Sequence, residues 1–314
     1  MTRGRFAPSP TGELHAGNAR TALLAWLWAR SEKGGFTLRV EDLDRPRCKP
    51  GLAERQLLEL SFLGLDWDEG PLAGSPEEEI GERGPYRQSR RSAIYDAAID
   101  RLREAGHVYE CFCSRAQIKA LSEASAPHGP ADEGPRYPGI CANLSEAERE
   151  EKRKLRAPAL RLRVPPGPIE FVDEIQGLQR FDPRSEVGDF VLRRFDGIHS
   201  YQLAVVVDDA AMGCDQVLRG ADLLSSTARQ ILLYRMLGAK VPRFAHAPLM
   251  HGPPGPDGQP QRLSKRAGAE TLSAMRERGD DPRRLVAMLA RSLGLTDREA
   301  VSPGELLAGF SLRR

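Results

Sequence analysis

The sequence predicts an α/β protein built around a parallel sheet, and three stretches near its start carry that expectation. Arg5 and Phe6 suit a strand end, and Pro8 and Pro10 then fix φ and remove two backbone donors, so the chain must leave the sheet there. From Gly17 the pattern turns helical, with Ala19, Ala22, Leu23, Trp26 and Leu27 on one apolar face until Gly34 and Gly35 stop it. Phe36-Thr-Leu-Arg-Val-Glu-Asp next alternates apolar and polar side chains, as a strand does. Such a β-α-β unit is parallel and right-handed, and its ligand crevice opens at the carboxyl ends of its strands. His15 and Glu41 are therefore expected to face one cleft.

Further along, Leu52 to Leu63 reads as an amphipathic helix, Gly70 to Pro85 as a loop, and Ser92 to Ala105 as another helix. Tyr109-Glu-Cys-Phe-Cys follows, and Ser122 to Pro135 is poor in apolar residues, the mark of a mobile insertion boundary. Strand-like runs begin at Ala159, Ile169 and Asp189. Leu203-Ala-Val-Val-Val, running into Asp208 and Asp209, reads as a central strand covered on both faces, in the same sheet as the strands of Arg5 and Arg39. Leu218-Arg-Gly-Ala-Asp reads as a loop, and Ser225 or Ser226 caps a helix carrying Ile231, Leu232 and Leu237. Phe244 to Met250 is a short strand, and Leu285 to Leu307 is helical with a break near Ser302 and Pro303. The expected division is 1–106 as the first half of the core, 107–188 as an insertion, 189–270 as the second half and 271–314 as a helical subdomain.

With 314 residues, 40% hydrophobic and 29% charged, the chain has the composition of a globular protein able to bury a full core. Its apolar runs are too short to span a bilayer, and its start lacks an apolar signal region, so no membrane partner and a cytoplasmic location are expected. A formal charge of +2 means that nucleic-acid contact must come from local basic patches. Arg149 to Arg163 is one, although such a run is ordinarily a solvated helix face. The five cysteines, an odd number without secretory context, argue against a disulfide framework. Cys48 and Cys214 read as ordinary thiols, whereas Cys111, Cys113 and Cys141 cluster in sequence.

A helix N-terminus leaves backbone N–H groups unpaired and carries partial positive charge, which makes the His15 to Gly17 turn a phosphate site in waiting. Arg5 and Arg219 offer guanidiniums that can meet a carboxylate, and Glu41 offers the opposite charge to an ammonium. Taken singly, each of these residues, and Lys265 too, would more often be an ordinary turn, loop or salt-bridge residue.

Their order changes that balance. Arg5-Phe-Ala-Pro-Ser-Pro-Thr-Gly, His15-Ala-Gly-Asn, Glu41-Asp-Leu-Asp, the Cys111 and Cys113 pair, Val217-Leu-Arg-Gly-Ala-Asp-Leu and Arg262-Leu-Ser-Lys-Arg follow one another as in class I glutamyl-tRNA synthetases. From about residue 3 to 270 the chain resembles their catalytic part, and it is most similar to the shortened paralogues of that family. The resemblance implies a Rossmann-type class I aminoacyl-tRNA synthetase core with a zinc-stapled insertion and a short helical C-terminal subdomain. No anticodon-binding domain is expected, since nothing follows residue 314 to form one.

It also implies an ATP site of His15, Gly17, Asn18 and Lys265, working with Mg²⁺, of which His15, Gly17 and Lys265 are catalytic. L-glutamate falls to Arg5, Ser9, Glu41, Tyr201 and Arg219, and one structural Zn²⁺ to Cys111, Cys113, Tyr137 and Cys141, with His128 as a rival fourth ligand. The implied reaction is ATP-dependent formation of glutamyl-adenylate and transfer to the queuosine base in the anticodon loop of tRNA(Asp), by a monomer. Two departures stand out: Asn18 replaces the family's second histidine, and Arg262-Leu-Ser-Lys-Arg replaces Lys-Met-Ser-Lys-Ser. Two other readings stay open, a truncated synthetase charging the 3′ end of tRNA(Glu) and a catalytically silent RNA-binding paralogue.

Overall fold

The computed structural model describes residues 2–123, 136–254, 260–262 and 270–312. In chain order the first elements are β1 (Arg3–Phe6), α1 (Ala16–Ser31), β2 (Gly35–Leu38), α2 (Leu52–Phe62), the hairpin β3 (Gly70–Leu72) and β4 (Ser75–Ile80), and α3 (Ser92–Glu104). The middle of the chain holds β5 (Val108–Cys111), α4 (Arg115–Glu123), α5 (Glu146–Leu155), β6 (Ala159–Leu162), β7 (Ile169–Asp173), β8 (Gly177–Phe181), the single turn α6 (Pro183–Glu186) and β9 (Val191–Arg193). After these come α7 (Tyr201–Ala211), β10 (Gln216–Gly220), α8 (Ser226–Met236) and β11 (Arg243–Ala247). The hairpin β12 (His251–Pro254) and β13 (Pro260–Arg262) and the helices α9 (Leu272–Glu277), α10 (Pro282–Arg291) and α11 (Pro303–Leu306) complete the described chain.

The main sheet has the order β2-β1-β10-β11-β7-β8, parallel throughout except for the last hairpin. From β1 the chain crosses through α1 to β2 on one side, whereas from β10 it crosses through α8 to β11 on the other. The order thus reverses between β1 and β10, and a crevice opens there beyond the strands' carboxyl ends. Side chains alternate between two cores as the pleat requires: Val217 joins Leu203, Val206, Leu233 and Phe244, and Leu218 joins Leu23, Leu27, Leu38 and Ala245. Helix α1 lies so close to β1 that a Cβ on Gly4 would sit 2.8 Å from the Ala29 Cβ, which explains the small residue at each contact. Three strands, β5, β6 and β9, form a separate antiparallel sheet. Strand pairing crosses the expected 188/189 junction both ways, because β7 and β8 join the main sheet and β9 joins the smaller one.

Gly70 to Ile80, within the expected loop, forms the β3-β4 hairpin, and two expectations about the main sheet need correction. Leu203 to Val207 is not a strand of the main sheet: it lies within α7, whose N-cap Ser200 accepts the Leu203 N–H, and every residue from Leu203 to Asp209 is buried, with α7 packed against α3 and α8. A short, wholly apolar run has no periodicity to separate strand from buried helix, and three consecutive valines tilt the reading toward strand until packing overrides it. The place assigned to that run belongs instead to Gln216 to Gly220, which takes in the first half of the expected loop. This segment is β10, and only Ala221 to Leu223 is a turn. Arg219 and Gly220 had lent it a polar look, but Gln216 to Arg219 are all buried.

Candidate active site

At the crevice the Pro8 to Gly12 turn is held from two sides. The Glu41 N–H donates to the Pro8 carbonyl at 2.9 Å, and Gln56 Nε2 donates to the Ser9 and Gly12 carbonyls at 3.1 and 2.6 Å. His15 is the N-cap of α1 and its Nδ1 accepts the Gly17 N–H at 3.1 Å, while Asn18 Oδ1 accepts the His15 N–H at 3.3 Å and closes a capping box. The neutral ring then carries its proton on Nε2, which makes that atom a donor. A Cβ on Gly17 would lie 3.0 Å from His15 Cε1, so glycine preserves the ring's seat. Asn18, the departure from the family pattern, thus has a structural task that a short amide performs.

The segment after residue 269 returns to the same turn. Thr271 forms an antiparallel bridge with His15, and the Leu272 N–H donates to the Leu14 carbonyl at 3.0 Å. The buried Glu59 carboxylate joins them, accepting from the Leu14 N–H at 3.3 Å and from Ser273 Oγ. Lys265 itself lies outside the described residues, as does His128.

Ser9, Glu41 and Tyr201 line a cavity of about 320 Å³ whose outer wall holds Asp44, Arg47, Cys48 and Arg194. Arg219 reaches Tyr201 Oη at 3.3 Å from the far side of the crevice, and Arg5 sits beside Glu41, Tyr201 and Asp209 in a common field. Five residues named from sequence, Arg5, Ser9, Glu41, Tyr201 and Arg219, are therefore brought to one place from β1, the proline turn, the end of β2, the start of α7 and β10. Arg5 donates from Nε to Asp209 at 3.4 Å and from Nη1 to the Leu218 carbonyl at 3.2 Å, and its Nη2 has no hydrogen-bond partner among the described residues. Burial raises the Glu41 carboxyl above the usual carboxylate range, against the pull of Arg39 and Arg5, so an arriving cation is welcome there.

Sequence reading missed the charges behind this wall. Arg39 is fully buried, with Nη1 2.7 Å from Asp209, Nη2 3.1 Å from Glu41 and Nε 3.5 Å from Asp208. Asp208 is completed by Arg91 Nε at 2.6 Å, Gln88 Nε2 at 2.8 Å and Tyr95 Oη at 2.9 Å. Burial opposes ionisation of Asp209, but Arg39 and Arg5 outweigh it and hold the carboxyl below its ordinary value. The available signal was the Asp208-Asp209 pair against an apolar run, since buried carboxylates demand cations.

A second cluster lies at the end of β5. Cys111, Cys113 and Cys141 have their sulfurs within 4.8 Å of one another, and Cys113 to Cys141 is 3.6 Å. Tyr137 Oη stands 3.3 Å from Cys111 Sγ and 3.7 Å from Cys113 Sγ. A bridge to Gly188 and the Arg161 guanidinium 3.8 Å from the ring centroid fix the tyrosine, and a Cβ at Gly188 would strike its carbonyl oxygen. A hydrogen bond with Cys141, aided by Arg161, pulls the Cys111 thiol below its ordinary range. That same bond pushes the Cys141 thiol up, and burial raises the Tyr137 phenol. A tetrahedral zinc with sulfurs at ~2.3 Å and an oxygen at ~2.0 Å needs S···S near about 3.8 Å and S···O near about 3.5 Å. The four groups fit such an ion, and three clustered thiols can give up their protons to solvent as they bind it.

Elsewhere, Cys214 is buried and its thiol is pushed up to about 12 by that burial, whereas Cys48 lines the crevice. Much of the basic run is committed internally: Arg149 to Glu146, Arg153 to Glu110 and Glu146, and Arg163 to the Ala142 carbonyl. Among the described residues no helix is long and apolar enough to cross a membrane.

Comparison with known proteins agrees with this geometry. The family model for the catalytic domain of class I tRNA synthetases (E and Q) matches residues 1–308. A glutamyl-Q tRNA(Asp) synthetase of Symbiobacterium thermophilum is 53% identical over 316 residues, covering 100% of this chain and 94% of that protein. A second protein of that name, from Nocardia farcinica, is 50% identical and covers 99% of this chain and 90% of its own length. The crystal structure of glutamate-tRNA synthetase from Elizabethkingia anophelis superposes with a TM-score of 0.82 at 32% identity, covering 99% of this chain and 66% of that one. The chain therefore spans about two thirds of that longer synthetase. A strand order that reverses at a charged crevice, a capped helix at its edge and a family match over nearly the whole length lead to one assignment: the chain belongs to the class I tRNA synthetase family (E and Q) and is a ligase.

Proposed function

We propose that the chain activates L-glutamate with ATP and its Mg²⁺ ion to form glutamyl-adenylate, then transfers the glutamyl group to queuosine in the anticodon loop of tRNA(Asp). The observation that carries the first step is the convergence of two buried guanidiniums, Arg5 and Arg219, with the Glu41 carboxylate around Tyr201. Two cations favour an amino acid with an anionic side chain, and Glu41 meets its ammonium. The acceptor is supported by relatives named for it that are 53%, 50% and 48% identical over 94%, 90% and 87% of their own lengths.

In this reading the glutamate α-carboxylate attacks the α-phosphorus of ATP, the bond to the β-phosphate breaks and pyrophosphate leaves. Arg5 donates from Nη2 to the side-chain carboxylate and Arg219 faces it with its charge, while Ser9 and Tyr201 add hydroxyls. His15 donates from Nε2 to a phosphate oxygen at the positive end of α1, with Gly17 and Asn18 keeping its seat. Lys265 meets the departing pyrophosphate as a point charge, from a segment whose described end is bridged to His15. An acceptor oxygen then attacks the acyl carbon and AMP leaves. The insertion is built on the β5-β6-β9 sheet, with β7 and β8 left to the core, and the enzyme works as a monomer in the cytoplasm.

Glutamate-dependent ATP–pyrophosphate exchange tests the activation step. The parent should exchange, and Lys265→Ala should lower the rate by about 10²- to 10³-fold. A silent parent, or an unaltered Lys265→Ala, would contradict the reading.

We propose further that Cys111, Cys113, Tyr137 and Cys141 hold one structural Zn²⁺, whose chemistry is to cross-link the end of β5 to the 137–141 turn. Metal analysis of the purified protein should find about one equivalent, lost together with thermal stability in Cys111→Ser. Metal-free protein with unchanged melting on that substitution would count against the site.

A further inference from the structure

Behind Arg219 lies a chain of buried polar groups that the reaction above does not use. His246 on β11 is 0% exposed, and its Nε2 accepts from Arg219 Nε at 3.0 Å. Its Nδ1 stands 2.6 Å from Asp173 Oδ2, at the end of β7. The other Asp173 oxygen accepts the N–H groups of Ile175, Gln176 and His246 at 3.0, 2.8 and 3.1 Å, so the carboxylate is fixed on both sides. Thr227 Oγ1 on α8 approaches Nε2 at 3.2 Å and takes Arg219 Nη2 at 2.9 Å. Gln230 takes Arg219 Nη1 at 2.8 Å.

We infer that Asp173 and His246 are positioning residues for Arg219, the carboxylate fixing the imidazole tautomer and the imidazole fixing the guanidinium whose charge faces the amino acid's side-chain carboxylate. The inference rests on the glutamate reading of Arg219 and explains what makes that reading selective. An imidazole with its proton on Nδ1 is the one form that can donate to Asp173 and accept from Arg219 at once. With the proton on Nε2, two donors would face each other in a dry interior. The charged groups facing the ring are Asp173 from β7, Arg219 from β10 and, at longer range, Arg5 from β1. Burial lowers the His246 pKa, Asp173 raises it, and Arg219 and Arg5 lower it, with a net fall from 6.5. The ring is therefore neutral at pH 7, and acid would turn it into a second cation against Arg219. The arrangement also gives the β7-β8 hairpin a task, since its pairing with β11 brings Asp173 to the ring.

The test has an arm that needs no activity. In the full-length ¹⁵N-labelled protein, the His246 ring signal, assigned by its loss in His246→Gln, should show the Nδ1–H tautomer at pH 7 and should titrate only below pH 6.5. An Nε2–H tautomer or a charged ring at pH 7 would overturn the inference. In the exchange assay, His246→Phe should raise KM for glutamate about 10-fold or more and leave KM for ATP within about twofold, and His246→Gln, which keeps an acceptor, should recover most of the loss. The parent's KM for glutamate should climb as pH falls through the ring's titration, a limb absent from His246→Gln. An unchanged glutamate KM in His246→Phe, or equal losses for glutamate and ATP, would overturn the positioning role. A parent that exchanges with no glutamate at all counts against the glutamate reading, while the ring spectrum still decides the pair.

Discussion

Arg219→Ala is expected to abolish glutamate-dependent pyrophosphate exchange, with a fall in kcat/KM for glutamate of at least about 10³-fold. The size follows from how completely the guanidinium is engaged. Nε serves His246, Nη1 serves Gln230 and Tyr201, and Nη2 serves Thr227 and the Leu223 carbonyl. On the proposed glutamate reading, truncation removes a cation facing the substrate, and it also leaves buried acceptors without a donor. Arg219→Lys should recover little, because one ammonium cannot reach His246, Gln230 and Thr227 together in the geometry of a planar fork. Steady-state exchange over a glutamate series checks this, and a variant within tenfold of the parent would contradict the assigned role.

Asp209→Ala should cost about 3–5 kcal/mol of folding stability, because it leaves Arg39 and Arg5 buried without their shared counter-ion. Chemical denaturation of parent and variant measures the difference, and a loss below about 1 kcal/mol would show that the two arginines find other partners. The sign with pH follows from the depressed carboxyl. Its contribution is complete above the unfolded value of about 3.9 and is lost as pH falls through the lower folded value, so the gap between parent and variant should narrow in acid. Glu41 should suffer too, since Arg39 joins it to Asp209.

What could be read from sequence was local. The β1-turn-α1 unit was legible because prolines end a strand and a periodic apolar face begins a helix within a few residues of one another. The clustered thiols were legible because cysteine spacing is itself a signal. Helix α7 was not, since an unbroken apolar run of valines carries no period, and its two aspartates looked like a strand's exit until their arginine partners were placed. Strand β10 was hidden by Arg219, which breaks the apolar pattern of a buried strand. The Asp173–His246 pair left no trace at all: the residues are 73 positions apart and meet only through the pairing of β7 with β11.

The most direct test of the whole account is transfer of labelled glutamate to three RNAs: tRNA(Asp) carrying queuosine, tRNA(Asp) lacking it, and tRNA(Glu). Label is expected on the first alone. Label on tRNA(Glu) and none on queuosine-containing tRNA(Asp) would contradict it.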